Sequence, residues 1–382
     1  MGETAYINGN VLAGKRFRDD LTVITEDGRI KRVQSASREP DTHARVVDLA
    51  GDYLVPGFID TQVNGGGGVL FNDQPTVEGI RTIAEAHRPF GTTGLLPTLI
   101  SDELDVIRQA LAAVDEAIDR RVPGVLGIHI EGPFLNQERR GVHAPGKLRP
   151  LTREIVDGLS PLPNGCTVLT IAPETVEPEL ISELTRKGFI VSCGHSNANQ
   201  MQVKEALEHG MRGFTHLFNA MSQLTAREPG VVGQALADPD SWCGIIVDGH
   251  HVSPVSLDIA WCCKGADRLM LFTDAMPPVG SPRKEFILLG NRVTTQDGVC
   301  LDQNGTLAGT ALDMASAVRN MARLTRCTFA DACIMASSTP AAFLGVADQR
   351  GSIRAGQHAD FVILDDAYQA KSTIIGGQAE QE

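Results

Sequence analysis

Between residues 56 and 272, short apolar runs alternate with stretches of helical periodicity, a pattern that commits a chain to a parallel sheet wrapped by helices. The strand-like runs are Phe58-Ile59, Gly94-Leu95-Leu96, residues 125–130, residues 168–172, Ile190-Val191-Ser192, Arg212-Gly213-Phe214, residues 244–247 and residues 269–272. They number about eight, enough to close a (β/α)8 TIM barrel. Residues 76–87 and 103–118 repeat apolar side chains every three and four positions, as helices do. Residues 199–209 do the same and stop at Gly210, a helix-ending residue.

The two ends of the chain have a different texture. Tyr6-Ile7 leads to Asn8-Gly9, and residues 21–24 lead through Asp27-Gly28 to residues 30–33, as in a β-hairpin. Gly351-Ser352-Ile353, residues 359–364 and residues 374–377 look similar. The expected organisation is therefore a small β-sandwich domain made from residues 1–55 and 346–382, enclosing a barrel over residues 56–345. A length of 382 residues suits a barrel with such an accessory piece.

Composition narrows the class. The chain is 42% hydrophobic and 21% charged, ordinary for a globular enzyme. The formal charge of −13 argues against nucleic acid or an anionic membrane surface as partner. No apolar stretch is long enough to span a bilayer, and residues 1–6 show no basic and then apolar leader. The 8 cysteines form no C-x-x-C pair, so reduced, mostly buried thiols and a cytoplasmic location are expected. Gly65 to Gly68 lacks the Lys-Ser/Thr that follows a phosphate-binding loop and reads as a flexible loop.

The chemistry lies just past the strand-like runs. Glu131 follows Gly127-Ile128-His129-Ile130, His195 follows Cys193-Gly194, His216 follows Thr215, and Asp274 follows Thr273. A carboxylate there can simply cap the next turn, and a single His is usually a satisfied polar residue. His129 shares a strand face with Glu131 and reads as a packed or supporting histidine. Two imidazoles at the ends of consecutive barrel strands, with Glu131, make a set that leaves a tetrahedral ion an open position. Asp274, across the barrel, is placed to move a proton. Arg227, Asn219, Ala220 and His251 occupy polar positions beyond strand ends, where most side chains are merely solvated.

These residues resemble a known family. Pro56-Gly57-Phe58-Ile59-Asp60 and the C-terminal Gly351-x-Ile353-x-x-Gly356-x-x-Ala359-Asp360 are similar to motifs of the amidohydrolase superfamily. A narrower combination resembles the N-acetylglucosamine-6-phosphate deacetylase family. It comprises Asp60 to Gly65, His129-Ile130-Glu131-Gly132-Pro133-Phe134, Gly194-His195-Ser196-Asn197-Ala198, Thr215 to Met221 and Arg227-Glu228-Pro229-Gly230. The resemblance implies hydrolysis of the acetamide of a phosphorylated amino sugar, with a divalent Zn or Fe ion on Glu131, His195 and His216. It implies Asp274 as acid and base, and His143 as a sugar-binding group that polarises the acetyl carbonyl. Val142, Asn219, Ala220, Arg227, Asp248, His251, Leu307, Ala308 and Gly309 are implied as further substrate contacts. A homodimer with Arg227 near the partner's active site is implied as well.

The sequence departs from the superfamily at one place. Many members carry His-x-His after the first strand, where a second metal binds, whereas this chain has Gln62 and Asn64. Amides are poor ligands for a borderline ion, so one metal per chain is expected. Two alternatives stay open at this level: the galactosamine epimer as substrate, and a barrel that has lost catalysis.

Overall fold

The computed structural model describes residues 2–37, 43–296 and 298–379. Residues 1, 38–42 and 380–382, which the expected small domain includes, lie outside the described residues.

Eight strands form one sheet in chain order: β1 (Phe58–Val63), β2 (Thr92–Ile100), β3 (Gly127–Glu131), β4 (Cys166–Ile171), β5 (Ile190–Cys193), β6 (Gly213–Phe214), β7 (Trp242–Ile245) and β8 (Leu269–Leu271). Every neighbouring pair is parallel. β1, β2 and β3 are buried at every position, and β1 buries Asp60, Thr61 and Gln62 along with its apolar residues. Helices cover the outside, and their ends follow local chemistry. The Thr76 hydroxyl accepts from the Gly79 N–H at the head of Val77–His87. Asn199 and Gln202 form a reciprocal capping box on Gln200–Glu208.

The barrel closes just beyond the strand ends. The Asp274 N–H donates to the Gln62 carbonyl at 3.0 Å, and the Asn64 N–H donates to the Ala275 carbonyl at 2.9 Å. The opposite mouth is plugged by the helix Ser338–Leu344, whose Ala341, Phe343 and Leu344 pack against Ile59, Leu96, Val168, Ile190 and Met270.

The small domain is a sandwich of two sheets. One contains Thr4–Ile7, Leu21–Glu26, Arg29–Ser35 and Arg45–Asp48. The other contains Asn10–Ala13, Arg16–Arg18, Tyr53–Pro56, Phe361–Leu364, Ala370–Ile375 and Gln378–Ala379. Both sheets contribute to one apolar core that includes Tyr6, Val11, Val23, Leu54, Phe361 and Ile374. The Asp27-Gly28 hairpin turn has φ of 49° and 78°, the left-handed pair that a tight two-residue turn needs.

Two features differ from the sequence reading. Gly65-Gly66 pairs antiparallel with Val69-Leu70, so this segment is a packed hairpin and not a flexible loop. A Cβ on Gly65 would meet the Val69 carbonyl at 2.4 Å, and one on Gly66 would meet the His87 ring at 2.9 Å. The glycines are there for close approach. The second feature is a four-stranded antiparallel sheet after β8, formed by Glu285–Leu288, Asn291–Gln296, Val299–Asp302 and Leu307–Thr310. No helix among the described residues is long and apolar enough to cross a membrane.

Phe361 is fully buried in the sandwich and meets the Tyr6 ring edge-on at 5.5 Å. Phe361→Ala is expected to cost about 3–5 kcal/mol of stability, as large-to-small changes of buried aromatics do. Urea unfolding followed by circular dichroism checks this, and an unchanged midpoint refutes it.

Candidate active site

Glu131, His195 and His216 converge at the carboxyl-terminal mouth, the end where barrel enzymes carry their chemistry. The His216 Nε2 lies 2.9 Å from Glu131 Oε1 and 3.0 Å from His195 Nε2, and His195 Nε2 lies 3.3 Å from the same carboxylate oxygen. All three residues are buried. The far nitrogens of both rings are committed. His195 Nδ1–H donates to the Arg139 carbonyl at 2.8 Å, and His216 Nδ1–H donates to the Asn219 carbonyl at 3.2 Å. A carbonyl can only accept, so each Nε2, when its ring is neutral, turns a lone pair toward the shared point. Fixing the tautomer in this way is how metal-binding histidines are oriented.

Electrostatics fit the same use. Burial pushes the Glu131 carboxyl up, but hydrogen bonds and charge from His195 and His216 overcome it and hold the group well below the usual range. Burial works to lower His216, yet Glu131 leaves it raised. Two ring nitrogens at 3.0 Å cannot both carry protons, so a cation is the natural occupant of the point they share with Glu131. The donor set, two nitrogens and a carboxylate oxygen, fits a borderline divalent ion.

Asp274 faces this cluster from the end of β8. Burial first, and then the Glu131 charge, push its carboxyl up to about 6. The Asn64 Nδ2–H and Gln62 Nε2–H both donate to its Oδ1, at 2.6 and 3.2 Å. His143 stands on the other side, with Nε2 at 3.9 Å from Glu131 Oε2. The Ser101 backbone N–H donates to His143 Nδ1 at 3.3 Å, and the Ser101 hydroxyl lies 2.7 Å from the same nitrogen. The ring's own proton therefore sits on Nε2 and faces the site. Burial, followed by the neighbouring His195, pulls His143 down to about 3, so it is a neutral donor.

A cavity of about 300 Å³ opens over these groups. Val142, His143, Asn219, Ala220, His251, Leu307 and Gly309, all among the substrate contacts implied by the resemblance, line it. Three other expected contacts sit elsewhere. Ala308 is fully buried within the sheet that follows β8. Asp248 stands behind His251, its Oδ2 taking the Nδ1–H at 2.6 Å, with its Oδ1 accepting the backbone N–H groups of His250 and His251. Arg227 is exposed on its loop and is not part of the cavity lining. His129 is packed inside the barrel, with Nε2 2.8 Å from the Thr170 hydroxyl. Ser101 was missed, although it is the first polar residue after β2 and carried the same signal as the others. Thr306, another lining residue, lies in the turn between Val299–Asp302 and Leu307–Thr310 of the unforeseen sheet.

Residues 53–379 match the family model described as "Amidohydrolase family". The chain belongs to the amidohydrolase family. It is 49% identical over 339 residues to an N-acetylgalactosamine-6-phosphate deacetylase of Shewanella sp. (strain ANA-3), covering 87% of this chain and 85% of that protein. It is 36% identical over 365 residues to an N-acetylglucosamine-6-phosphate deacetylase of Haemophilus influenzae, covering 95% of each. The crystal structure of N-acetylglucosamine-6-phosphate deacetylase from Pasteurella multocida superposes with a TM-score of 0.95 at 32% identity, over 100% of both chains. The fold of this amidohydrolase is thus shared with a solved relative across the whole chain.

His216→Ala removes the residue that touches both other members of the cluster. Metal content measured after dialysis is expected to fall by more than about tenfold relative to the parent protein, in line with loss of a direct ligand exceeding the 10–100-fold typical of supporting residues. Retention of full metal content refutes the assignment of these three residues.

Proposed function

We propose that this chain hydrolyses the acetamide of N-acetyl-D-glucosamine 6-phosphate, releasing D-glucosamine 6-phosphate and acetate, with one divalent ion, Zn²⁺ or Fe²⁺, on Glu131, His195 and His216. The convergence of these three side chains beside Asp274 carries the proposal, and the deacetylase relatives support it. The chain's amidohydrolase membership and intact acid–base set argue against a barrel that has lost catalysis. When bound, the ion supplies Lewis acidity toward water and toward an amide carbonyl.

The chain's own residues do the rest. Asp274 takes a proton from the attacking water, which then forms its bond to the acetyl carbon. The neutral His143 donates from Nε2 to the carbonyl oxygen as negative charge grows there, an oxyanion-type stabilisation. Asp274 returns the proton to the sugar nitrogen, the C–N bond breaks, and the amine leaves neutral. His251, anchored by Asp248, lines the sugar pocket with Asn219, Ala220, Val142, Leu307 and Gly309. We assign the domain bounds as residues 1–55 with 346–382, and 56–345, and read the protein as a cytoplasmic homodimer.

A second reading is favoured by one observation: the 49%-identical relative is named for the galactosamine epimer. Acetate release from the two epimeric 6-phosphates, compared as kcat/KM on metal-loaded protein, separates them. A preference for the glucosamine form is expected, and the opposite preference selects the second reading. Acetate from neither overturns both. In the same assay Asp274→Asn is expected to keep its metal and lose roughly 10²–10⁴-fold in kcat, the usual contribution of a positioned acid–base group.

Arg227 is read as the phosphate contact supplied by the partner chain. Its guanidinium suits a phosphate dianion that the net charge of −13 repels at longer range. Arg227→Ala should lower kcat/KM on the phosphorylated substrate while leaving the slow reaction of unphosphorylated N-acetylglucosamine nearly unchanged. Mixed Arg227→Ala and Asp274→Asn chains should regain activity through hybrid dimers. Equal losses on both sugars contradict the phosphate role, and no rescue despite subunit exchange contradicts action across the interface.

A further inference from the structure

Two amides at the end of β1, Gln62 and Asn64, are aimed at one carboxylate oxygen. Asn64 Nδ2 lies 2.6 Å and Gln62 Nε2 lies 3.2 Å from Asp274 Oδ1. Oδ2 accepts no hydrogen bond from any described residue, and Asp274 lines the cavity. The two oxygens of one carboxylate are thus made unequal by the protein itself.

The amides have no freedom to relax this. Both are almost fully buried. Their backbones are the closure of the barrel, with Asn64 N–H on the Ala275 carbonyl and the Gln62 carbonyl on the Asp274 N–H. The Asn64 carbonyl accepts from the Phe71 N–H at 2.8 Å, and the Gln62 N–H is held by Asp60 Oδ1 at 3.2 Å. Turning either amide would set its oxygen against the carboxylate, so the donating orientation is the attractive one. Gln62 Oε1 and Asn64 Oδ1 consequently face no hydrogen-bond partner among the described residues. Leaving buried acceptors unmatched carries a cost, and the observed arrangement accepts it in order to keep two N–H groups on Oδ1.

We propose that Gln62 and Asn64 are positioning residues that occupy Asp274 Oδ1 and thereby reserve Oδ2 as the oxygen that takes and returns the proton. The inference rests on the reading of Asp274 as proton carrier. An oxygen that already accepts two N–H groups has little lone-pair density left for a third proton, so the incoming proton bonds to Oδ2. Protonated at Oδ2, the group presents Oδ1 as a carbonyl oxygen, which the same two N–H groups still satisfy. Neither charge state then requires the side chain to turn, which is the preorganisation that acid–base catalysis gains from. Amides serve this end better than imidazoles would, because an amide N–H does not titrate and cannot compete for the proton.

The test uses metal-loaded Asn64→Leu and Gln62→Leu, which keep approximate size and remove the donors, together with Asp274→Asn alone and combined with Asn64→Leu. Asn64→Leu is expected to lower kcat about 10- to 100-fold, the scale of a hydrogen bond to a charged group, with KM within about twofold and metal content unchanged. Gln62→Leu, the longer contact, should lose less. In the Asp274→Asn background the Asn64→Leu change should cost almost nothing more, since residues acting as one unit are not additive. Wild-type kcat in Asn64→Leu overturns the proposal, and so does an equal loss in the presence and absence of the Asp274 carboxylate. Normal turnover by Asp274→Asn instead overturns the underlying role of Asp274. If Asn64→Leu fails to fold, Gln62→Leu and its double variant with Asp274→Asn carry the same comparison.

Discussion

A fully buried carboxylate governs this molecule. Glu131 has 3% of its surface exposed, and an isolated charge at that depth would neutralise rather than persist. It persists where positive charge is held at the point it shares with His195 and His216, which close on one of its oxygens. Removing one member of such a group leaves the others uncompensated, the costly direction for a buried charge cluster. The site therefore cannot be assembled piecemeal. It requires β3, β5 and β6 in their barrel positions, and the parallel register of β3 through β6 is what brings three sequence-distant side chains to one point.

The mouth of the barrel is held in conformations that the backbone alone disfavours. His195, His216 and Asp274 have φ of 47°, 36° and 53°, a region in which non-glycine residues are uncommon. Residues in such regions cost about 1–3 kcal/mol each and persist only where surroundings over-determine them. Here the surroundings are visible. The His195 carbonyl accepts from the Asn136 N–H, the Leu217 N–H donates to the Gly244 carbonyl, and the Asp274 carbonyl accepts from the Thr310 N–H. Each functional side chain leaves its strand at a sharp backbone turn, which aims it inward across the mouth instead of along the strand.

This explains what could be read from the sequence and what could not. Period and composition suffice to place β1 through β8, because a buried strand carries at least a short apolar run, and for helix ends such as Thr76 and Asn199, whose caps are local. The position of Glu131, His195, His216 and Asp274 just beyond those runs was equally legible. The sheet from Glu285 to Thr310 was not, because its first strands are largely exposed and carry little hydrophobic signal. Nor did spacing distinguish Asp248, which supports His251, from a group that touches the cavity. That distinction depends on which way a loop folds back, here decided by two backbone N–H groups on one carboxylate oxygen. The tautomers of His143 and His195 are likewise set by partners distant in sequence, Ser101 and the Arg139 carbonyl, whereas that of His216 is set locally by the Asn219 carbonyl.

One of the two stretches of chain that join the small sandwich to the barrel leads directly to this chemistry. Tyr53–Pro56 pairs with Phe361–Leu364 in the sandwich, and β1 begins at Phe58 with only Gly57 between them. The Gly57 N–H donates to the Asp360 carbonyl at 2.9 Å, and a Cβ on this glycine would fall 2.0 Å from the Thr93 hydroxyl oxygen. The junction is therefore close-packed and has little room to flex. Along the same strand come Asp60, Gln62 and Asn64. Asp60 Oδ2 accepts the Thr273 hydroxyl at 2.6 Å, and its Oδ1 accepts the Thr273 N–H at 3.2 Å. Burial pushes the Asp60 carboxyl up to about 7, against the pull of these hydrogen bonds from Thr273. The chain ends thus do more than cover one side of the barrel. They fix the start of β1, and β1 in turn fixes the residue next to Asp274 and the amides that hold its carboxylate. The accessory domain and the two amides that hold the Asp274 carboxylate stand at the two ends of one short run of backbone.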